Sequence, residues 1–418
     1  EVWHKIKQAE EFGIHVSNVS FDYKKMVDRK NRVVNKVRQG LESLISANKI
    51  TLLKGFGKFV SPRRIKITGH DNLEIIADKT IIATGSEPKN VPSFPFDYQK
   101  IHNSTSLLDI QSLPKSLVII GGGIVGCEFA SLFAEFGVNV TIVEALSRIL
   151  PLECISVSAA LSKAYKKKGI KIETSAFVEG IDRFEKAVAV RIAGVGTIDA
   201  EMALVAIGRT LNTSKIGLDA AGIAIKEIGM IDVNDKMETN VSGIYAVGDI
   251  ASKWWLAHVA SHQGIVAATN AAGKSARMHY HAVPSVIFTN PEIATVGYTL
   301  EEAISKGYRA SVGAFPFNVL GKSQTTSDTE GFAQVSIDKA TGQILGAQVV
   351  GHDAATLIAE MAVIIANELT VDCVTETIHA HPTVAEAWLE AAMIANNEPL
   401  HMPPQVVKEK KTPAVYIS

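Results

Sequence analysis

Residues Ser116–Glu144 read SLVIIGGGIVGCEFASLFAEFGVNVTIVE, and the fold of the chain is decided there. Leu117–Ile120 is an apolar run suited to a strand buried on both faces. It feeds Gly121, Gly123 and Gly126 in the G-x-G-x-x-G spacing. Gly121 permits a tight turn, Gly123 lets the backbone approach a pyrophosphate, and Gly126 lets the next helix pack closely on the strand. That helix begins near Ile124, and its N-terminal N–H groups and dipole favour negative charge. A second strand, Val138–Val143, ends in Glu144, about 20 residues past the glycines. A carboxylate there accepts both ribose hydroxyls of NAD and repels the extra phosphate of NADP. A glycine-rich turn without a ligand is the plain alternative; strand, helix, strand and terminal acid together favour the dinucleotide.

Composition excludes several classes. The 418 residues suit more than one domain. A net charge of -1 makes no electrostatic case for nucleic acid or an anionic membrane surface. No apolar run reaches the length of a membrane span. Cys127, Cys154 and Cys373 lie far apart with no C-x-x-C pair, so neither a disulfide framework nor a zinc knuckle is expected, and no metal site. They read as buried free thiols. The first residue is Glu1 rather than Met, in a helical segment without a signal-like core, so the N-terminus reads as cut and targeting information is unreadable.

Outward from the βαβ unit, Tyr23–Asn48 reads as a long helix with Met26, Val33, Val34, Val37, Leu41, Leu44 and Ile45 on one stripe. Strands are expected at Ile50–Leu53, Ile65–Thr68 and Thr80–Thr84, the last stopping at Gly85 in A-T-G-S-E-P. Small-residue turns at strand ends are where α/β sheets place ligands. A helix at Ser156–Lys168, a strand at Ile170–Thr174, a β meander and a strand at Met202–Ala206 follow, closing on Ile207-Gly208-Arg209. Ile244–Val247 is a further buried strand, with Asp249 at its end as either a polyol acceptor or an ordinary turn aspartate, and a helix begins near Leu256. Beyond Val283 come strands at Val312–Phe317, Ala333–Ile337 and Ile344–Val350, a hairpin turn at Asp338–Gly342, and helices at Ala354–Leu369 and Val384–Ala395. From Pro403 the chain is Lys- and Pro-rich and reads as a loose tail.

H-A-H-P-T-V-A-E at 379–386 carries the other chemistry. Pro382 disfavours helix before it and suits helix initiation after it, which puts His381 at the mouth of the last helix. Glu386, in the first turn, can reach back to the imidazole. A carboxylate on one ring nitrogen fixes the tautomer and raises the basicity of the other, giving an acid/base pair near neutral pH. A helix cap with a dipole-favoured acid is the competing reading.

Taken together these motifs resemble the flavoprotein pyridine-nucleotide disulfide reductases, nearest to the branch that oxidises protein-bound dihydrolipoamide. The resemblance rests on G-F-G at 55–57, A-T-G-S-E-P at 83–88, G-G-G-I-V-G-C-E at 121–128, A-I-G-R at 206–209 and T-N-V-x-x-I-Y-A-V-G-D at 239–249. L-A-H at 256–258, P-S-V-I-F-T-x-P-E at 284–292 and H-A-H-P-T-x-x-E at 379–386 complete it. It implies an α/β fold of two Rossmann-like dinucleotide-binding domains, the first incomplete, and a C-terminal α+β dimerisation domain. The implied bounds are 1–114 and 238–282 for FAD binding, 115–237 for NAD, 283–404 for the dimer interface and 405–418 for the tail. Gly57, Thr84, Gly85, Asp249 and Ala257 would line FAD, with Glu128 beside the flavin. Gly121, Gly123, Gly126, Glu144, Ala176 and Gly208 would line NAD. His381, oriented by Glu386, would take a proton from a dithiol and serve the partner subunit's site. The implied setting is a homodimer acting on lipoyl domains of 2-oxoacid dehydrogenase complexes, in the cytoplasm or, in a eukaryote, the mitochondrial matrix.

The resemblance has gaps. The family opens with a first βαβ unit carrying its own G-x-G-x-x-G, then C-x-x-x-x-C and a Lys that pairs at the Glu128 position; none lies in these 418 residues. A βαβ unit takes roughly 30 residues or more, so a whole block differs. The expectation is that this peptide by itself does not turn over. Leu211 stands where relatives usually carry Pro, a loop change. Other readings are a glutathione- or mercuric-reductase-like enzyme, disfavoured for NADP by Glu144, a soluble transhydrogenase, which leaves His381 no thiol to serve, and a non-catalytic NAD-binding dimeric module.

Overall fold

The computed structural model describes residues 2–403, which divide into two compact units, 2–151 with 165–280 and 152–164 with 281–403. The tail expected at 405–418 lies outside the described residues. The first unit opens on α1 (Val2–Gln8) and α2 (Tyr23–Ala47). Asp22 caps α2, its carboxylate accepting the Lys25 N–H at 3.0 Å. The expected apolar stripe is on α2, but most of it faces outward: Val33, Val34, Val37, Leu41 and Leu44 are all exposed, and Val27 alone is buried.

In chain order there follow β1 (Phe56–Ser61), β2 (Arg64–Thr68), β3 (Leu73–Ile76), β4 (Thr80–Ile82), β5 (Ser86–Pro88), β6 (Ile101–His102) and α3 (Ser104–Leu107). Next are β7 (Ser116–Ile120), α4 (Ile124–Glu135), β8 (Asn139–Val143), α5 (Ile155–Lys167), which belongs to the second unit up to Ala164, β9 (Lys171–Glu173), β10 (Val178–Arg183), β11 (Val188–Ile192) and β12 (Gly196–Ala200). β13 (Met202–Val205), β14 (Arg209–Leu211), β15 (Ile244–Ala246) and α6 (Ala257–Ala271) close the series.

A five-stranded sheet in the order β6-β13-β7-β8-β9 is parallel throughout, with Ile120 opposite Val143 on one side and Val205 on the other. Leu117, Val118, Ile119 and Ile120 are all buried, as a strand covered on both faces requires. β10-β11-β12 and β1-β2-β3 are antiparallel meanders. β15 pairs in parallel with β4, and β14 pairs antiparallel with β5.

Two strand expectations are corrected. Ile50–Leu53 is not a strand: its residues are exposed and pair with no neighbour among the described residues, and apolar side chains alone do not make a ladder. The strand expected to reach Thr84 stops at Ile82. Beyond it the Thr84 hydroxyl donates to the Asn212 carbonyl, Asn212 returns an amide bond to the Thr84 carbonyl, and the Asn212 N–H donates to Gly85 O at 2.9 Å. Gly85, at φ +64°, turns the chain out of the ladder.

The second unit holds an antiparallel sheet, order β16-β17-β20-β19-β18, from β16 (Ser285–Ile287), β17 (Ile293–Gly297), β18 (Ala310–Pro316), β19 (Phe332–Asp338) and β20 (Ile344–Val350). Its helices are α7 (Leu300–Ser305), α8 (Gly321–Thr326), α9 (Ala354–Ala366), α10 (Val371–Thr375) and α11 (Glu386–Ala395). β19 and β20 form the expected hairpin, and Ile358, Met361, Trp388, Ala391 and Ala392 of α9 and α11 join its core. α9 ends at Ala366 rather than Leu369, where Glu368 at φ 53° reverses the chain and the Leu369 N–H bonds Ile364 O. α11 starts two residues later than expected, at Glu386.

Candidate functional site

The glycine turn of the first unit behaves as its spacing requires. Gly121 sits at φ +106°, and a Cβ there would lie 2.4 Å from the Ala206 carbonyl oxygen. A Cβ on Gly126 would lie 1.9 Å from Gly121 O, so only glycine lets α4 pack this close to β7. Gly123 is the residue before α4, and a Cβ on it would meet nothing within 4 Å. That open cradle faces the first turn of α4, whose N–H groups lack intrahelical acceptors, and it fits a pyrophosphate. Gly208, at φ +121°, also borders open space.

Glu144 is buried at the end of β8. One carboxylate oxygen accepts the Gly122 N–H at 2.6 Å and the other the Leu146 N–H at 2.7 Å. The acid expected to take a ribose diol thus also ties the glycine turn to the β8 loop, and a bound diol would share its remaining lone pairs. Ala176 is buried beside it, its N–H donating to Glu144 O at 3.0 Å. Glu128 lies half-buried in the second turn of α4. Its neighbour Cys127 is fully buried and donates to Gly122 O at 3.3 Å. Burial, then the Glu144 charge, push that thiol far up, so it is no nucleophile. Cys154 is likewise raised by burial, whereas Cys373, expected to be buried, is exposed.

A second cluster gathers around Asp249. β4 and β15 lie side by side in parallel, so the Gly85 turn and the Gly248–Asp249 turn emerge at the same sheet edge. The Ser86 hydroxyl donates to the Asp249 carboxylate, while Arg209 donates to the Ser86 hydroxyl at 2.6 Å and to its carbonyl at 2.7 Å. Ala257 is the first residue of α6, exposed at its N-terminus, and Thr84 is exposed beside Gly85. Gly57 lies apart in chain terms, on β1 opposite Ile67. Acidic acceptor, open glycine turn and helix N-terminus together fit the hydroxyls and phosphates of a flavin nucleotide. Ser86 and Arg209 were not singled out from sequence as ligands of Asp249; separations of 163 and 40 residues give no local signal.

In the second unit the His381 Nδ1 stands 2.8 Å from Glu386 Oε1, and Glu386 Oε2 accepts the Thr383 N–H at 2.9 Å. Burial would raise the Glu386 carboxyl, but the Thr383 N–H and the His381 ring outweigh it and leave it below the usual carboxylate range. An ionised Glu386 makes Nδ1 the donor and leaves Nε2 of the neutral ring as an acceptor. The His381 side chain is 76% exposed, so that nitrogen is reachable. His379 is the opposite, 6% exposed, with Nε2 3.0 Å from Glu360 on α9 and Nδ1 2.9 Å from Thr377 O. Glu360 was missed in the sequence, because it belongs to a helix 19 residues upstream.

Among the described residues no group of three or more His, Cys, Asp or Glu could hold a metal ion, and no helix is long and apolar enough to cross a membrane.

A glycine turn that fits a dinucleotide, an acid-bearing turn that fits a flavin nucleotide and a carboxylate-oriented histidine are features that suit a pyridine-nucleotide oxidoreductase. The chain belongs to the pyridine nucleotide-disulphide oxidoreductase family, whose model matches residues 2–264, and the family's dimerisation domain matches residues 283–392. It is 48% identical over 400 residues to a dihydrolipoyl dehydrogenase of Chlamydia pneumoniae, covering 96% of this chain and 86% of that protein. A dihydrolipoyl dehydrogenase of Geobacillus stearothermophilus is 38% identical over 404 residues, 96% of this chain and 86% of that protein. Among solved structures, LpdA from Mycobacterium tuberculosis superposes with a TM-score of 0.88 at 27% identity, covering 94% of this chain and 86% of that one. The family brings FAD and NAD as cofactors and a homodimer as the assembly.

Proposed function

We propose that this chain serves as a protomer of a homodimeric dihydrolipoyl dehydrogenase that reoxidises dihydrolipoyl groups carried on the lipoyl domains of 2-oxoacid dehydrogenase complexes. The net reaction takes two electrons and two protons from the dithiol and yields a disulfide, NADH and one proton. Bound FAD would supply the two-electron relay between dithiol and NAD.

The observation that carries the reading is the His381–Glu386 pair at 2.8 Å beside an exposed Nε2. A dihydrolipoyl thiol attacks only as its thiolate, and the S–S bond it would open is that of the family's redox disulfide, so a base must take the thiol's proton. Nε2 of His381 accepts that proton, and the ionised Glu386 stabilises the imidazolium through Nδ1. We assign 115–237 to NAD, with Gly121, Gly123 and Gly126 on the pyrophosphate, Glu144 on the ribose, and Ala176 and Gly208 along the site. We assign 1–114 and 238–282 to FAD, with Asp249 on a ribityl hydroxyl and Gly57, Thr84, Gly85 and Ala257 around it. Glu128 would stand beside the flavin. Residues 283–404 form the subunit interface, through which His381 serves the partner's site. The redox disulfide that the family uses has no counterpart among Cys127, Cys154 and Cys373, none of which pairs. Lipoyl-bearing complexes place the work in the cytoplasm, or the matrix in a eukaryote.

The test is NADH formation from dihydrolipoamide by the holoenzyme in a form that carries the family's redox disulfide, wild type against His381→Gln, with the 418-residue chain alone beside them, which should not turn over. A loss of about 100-fold or more in kcat, with NADH binding unchanged, is expected of a missing general base; an unaffected rate removes His381 from the mechanism.

A further inference from the structure

Gln263 is fully buried in α6, the helix that gives Val266 and Ala267 to an apolar cluster of the first unit with Val247 and Met278. An amide in such surroundings is costly unless both ends are bonded. Both are: Oε1 accepts the Gly248 N–H at 2.7 Å, and Nε2 donates to the Tyr280 hydroxyl oxygen at 2.9 Å. Gly248 is at φ +76° and immediately precedes Asp249. The turn is therefore fixed from three sides: the Val247 N–H bonds Ile82 O at 2.9 Å, Gln263 holds Gly248, and Ser86 backed by Arg209 holds the Asp249 carboxylate. Of these, Gln263 alone belongs to α6, the helix that presents Ala257.

We propose that Gln263 is a positioning residue for the flavin: its amide sets the Gly248–Asp249 turn against α6, fixing in advance the distance between the acidic acceptor and the helix N-terminus that face the cofactor. The inference rests on the assignment of Asp249 and Ala257 to the flavin site. Gln263 touches no cofactor atom in this account. Its effect runs through the backbone N–H of Gly248, whose buried bond, once broken, leaves an unsatisfied donor and a turn free to move.

The experiment measures FAD affinity by fluorescence titration of deflavinated protein, for Gln263→Met, Gln263→Glu, Asp249→Asn and the Met/Asn double variant. Gln263→Met should weaken FAD by about 10- to 100-fold, the range expected of one orphaned buried group. Gln263→Glu keeps an acceptor for Gly248 and, protonated, a donor for Tyr280, and should stay near wild type. Because Gln263 acts through the turn that carries Asp249, the double variant should lose less than the product of the single effects. A role in stability alone would lower the melting temperature and leave the two effects multiplicative. NADH binding at the Gly121–Gly126 turn reports that each variant is folded, and should Gln263→Met fail to fold, Tyr280→Phe, which removes the acceptor of Nε2 and the hydroxyl's weak bond to Met237 Sδ but leaves the Gly248 bond, replaces it with a smaller loss in the same direction. FAD affinity within about twofold of wild type in Gln263→Met, or fully multiplicative effects, overturns the proposal. If Asp249→Asn itself leaves FAD affinity unchanged, the flavin-site assignment falls and the proposal with it; if Asp249→Asn weakens FAD and Gln263→Met does not, only the positioning role falls.

Discussion

Gly121→Ala and Gly123→Ala differ by two residues and should fail in different ways. At Gly121 the new methyl meets φ +106° and the Ala206 carbonyl oxygen at 2.4 Å, where ordinary contact begins at 3.4 Å. The turn or the end of β13 must therefore give by about 1 Å, against the Gly121 N–H to Val143 O bond of 2.9 Å and the Ala206 N–H to Ile120 O bond of 2.8 Å. Backbone strain of about 1–3 kcal/mol and overpacking of about 1–3 kcal/mol add to a destabilisation of about 2–6 kcal/mol. Gly123 has φ -74° and no atom within 4 Å of the added Cβ, so alanine is tolerated by the fold but fills the space assigned to the pyrophosphate. Calorimetric NADH titration beside thermal unfolding separates the two. Gly121→Ala should lose melting temperature and NADH affinity together. Gly123→Ala should keep its melting temperature within a degree or two while NADH binding weakens by about 100-fold, near 2.7 kcal/mol. A Gly123→Ala protein that binds NADH like wild type would refute the placement of the phosphates on α4.

Further outcomes follow from the other sites. Glu386→Gln should lower kcat/KM by about 10- to 100-fold at neutral pH, with KM little changed, since an amide stabilises the developing imidazolium poorly; steady-state kinetics check this. Glu386 is held below the usual carboxylate range, so the stability it contributes is present above its unfolded value and is lost as pH falls through the lower folded one; acid unfolding of wild type and Glu386→Gln should therefore converge only at the acid extreme. His379→Ala breaks the bonds to Glu360 and Thr377 and should cut kcat by about tenfold while leaving FAD content intact, read from the flavin spectrum. Cys127, buried and with its thiol pushed far up, should resist iodoacetamide in the native protein, as mass spectrometry of quenched digests would show.

Much of the first unit was legible because β7, α4 and β8 carry two signals at once, an apolar run and a glycine spacing that only a βαβ turn satisfies. The His381–Glu386 contact was legible for a related reason: both residues flank one helix start, within five positions of each other. Ile50–Leu53 misled because a strand needs a neighbour, which composition does not reveal. The outward stripe of α2 shows the same limit in a helix, where periodicity gives the face but not what covers it. Gln263, Ser86, Arg209 and Glu360 were not legible as site residues at all, since each acts on a partner brought near only by the fold.

The central claim is that electrons pass from a dihydrolipoyl dithiol to NAD rather than between NADPH and another disulfide. Anaerobic mixing of the flavin-loaded homodimer, in a form that carries the family's redox disulfide, with dihydrolipoamide, followed by NAD or NADP, tests it in one measurement of absorbance at the flavin and reduced-nicotinamide bands. Flavin reduction by dihydrolipoamide, then rapid NADH formation with NADP at least about 100-fold less effective, is the predicted result. A flavin that ignores dihydrolipoamide, or one that prefers NADP despite Glu144, would contradict it.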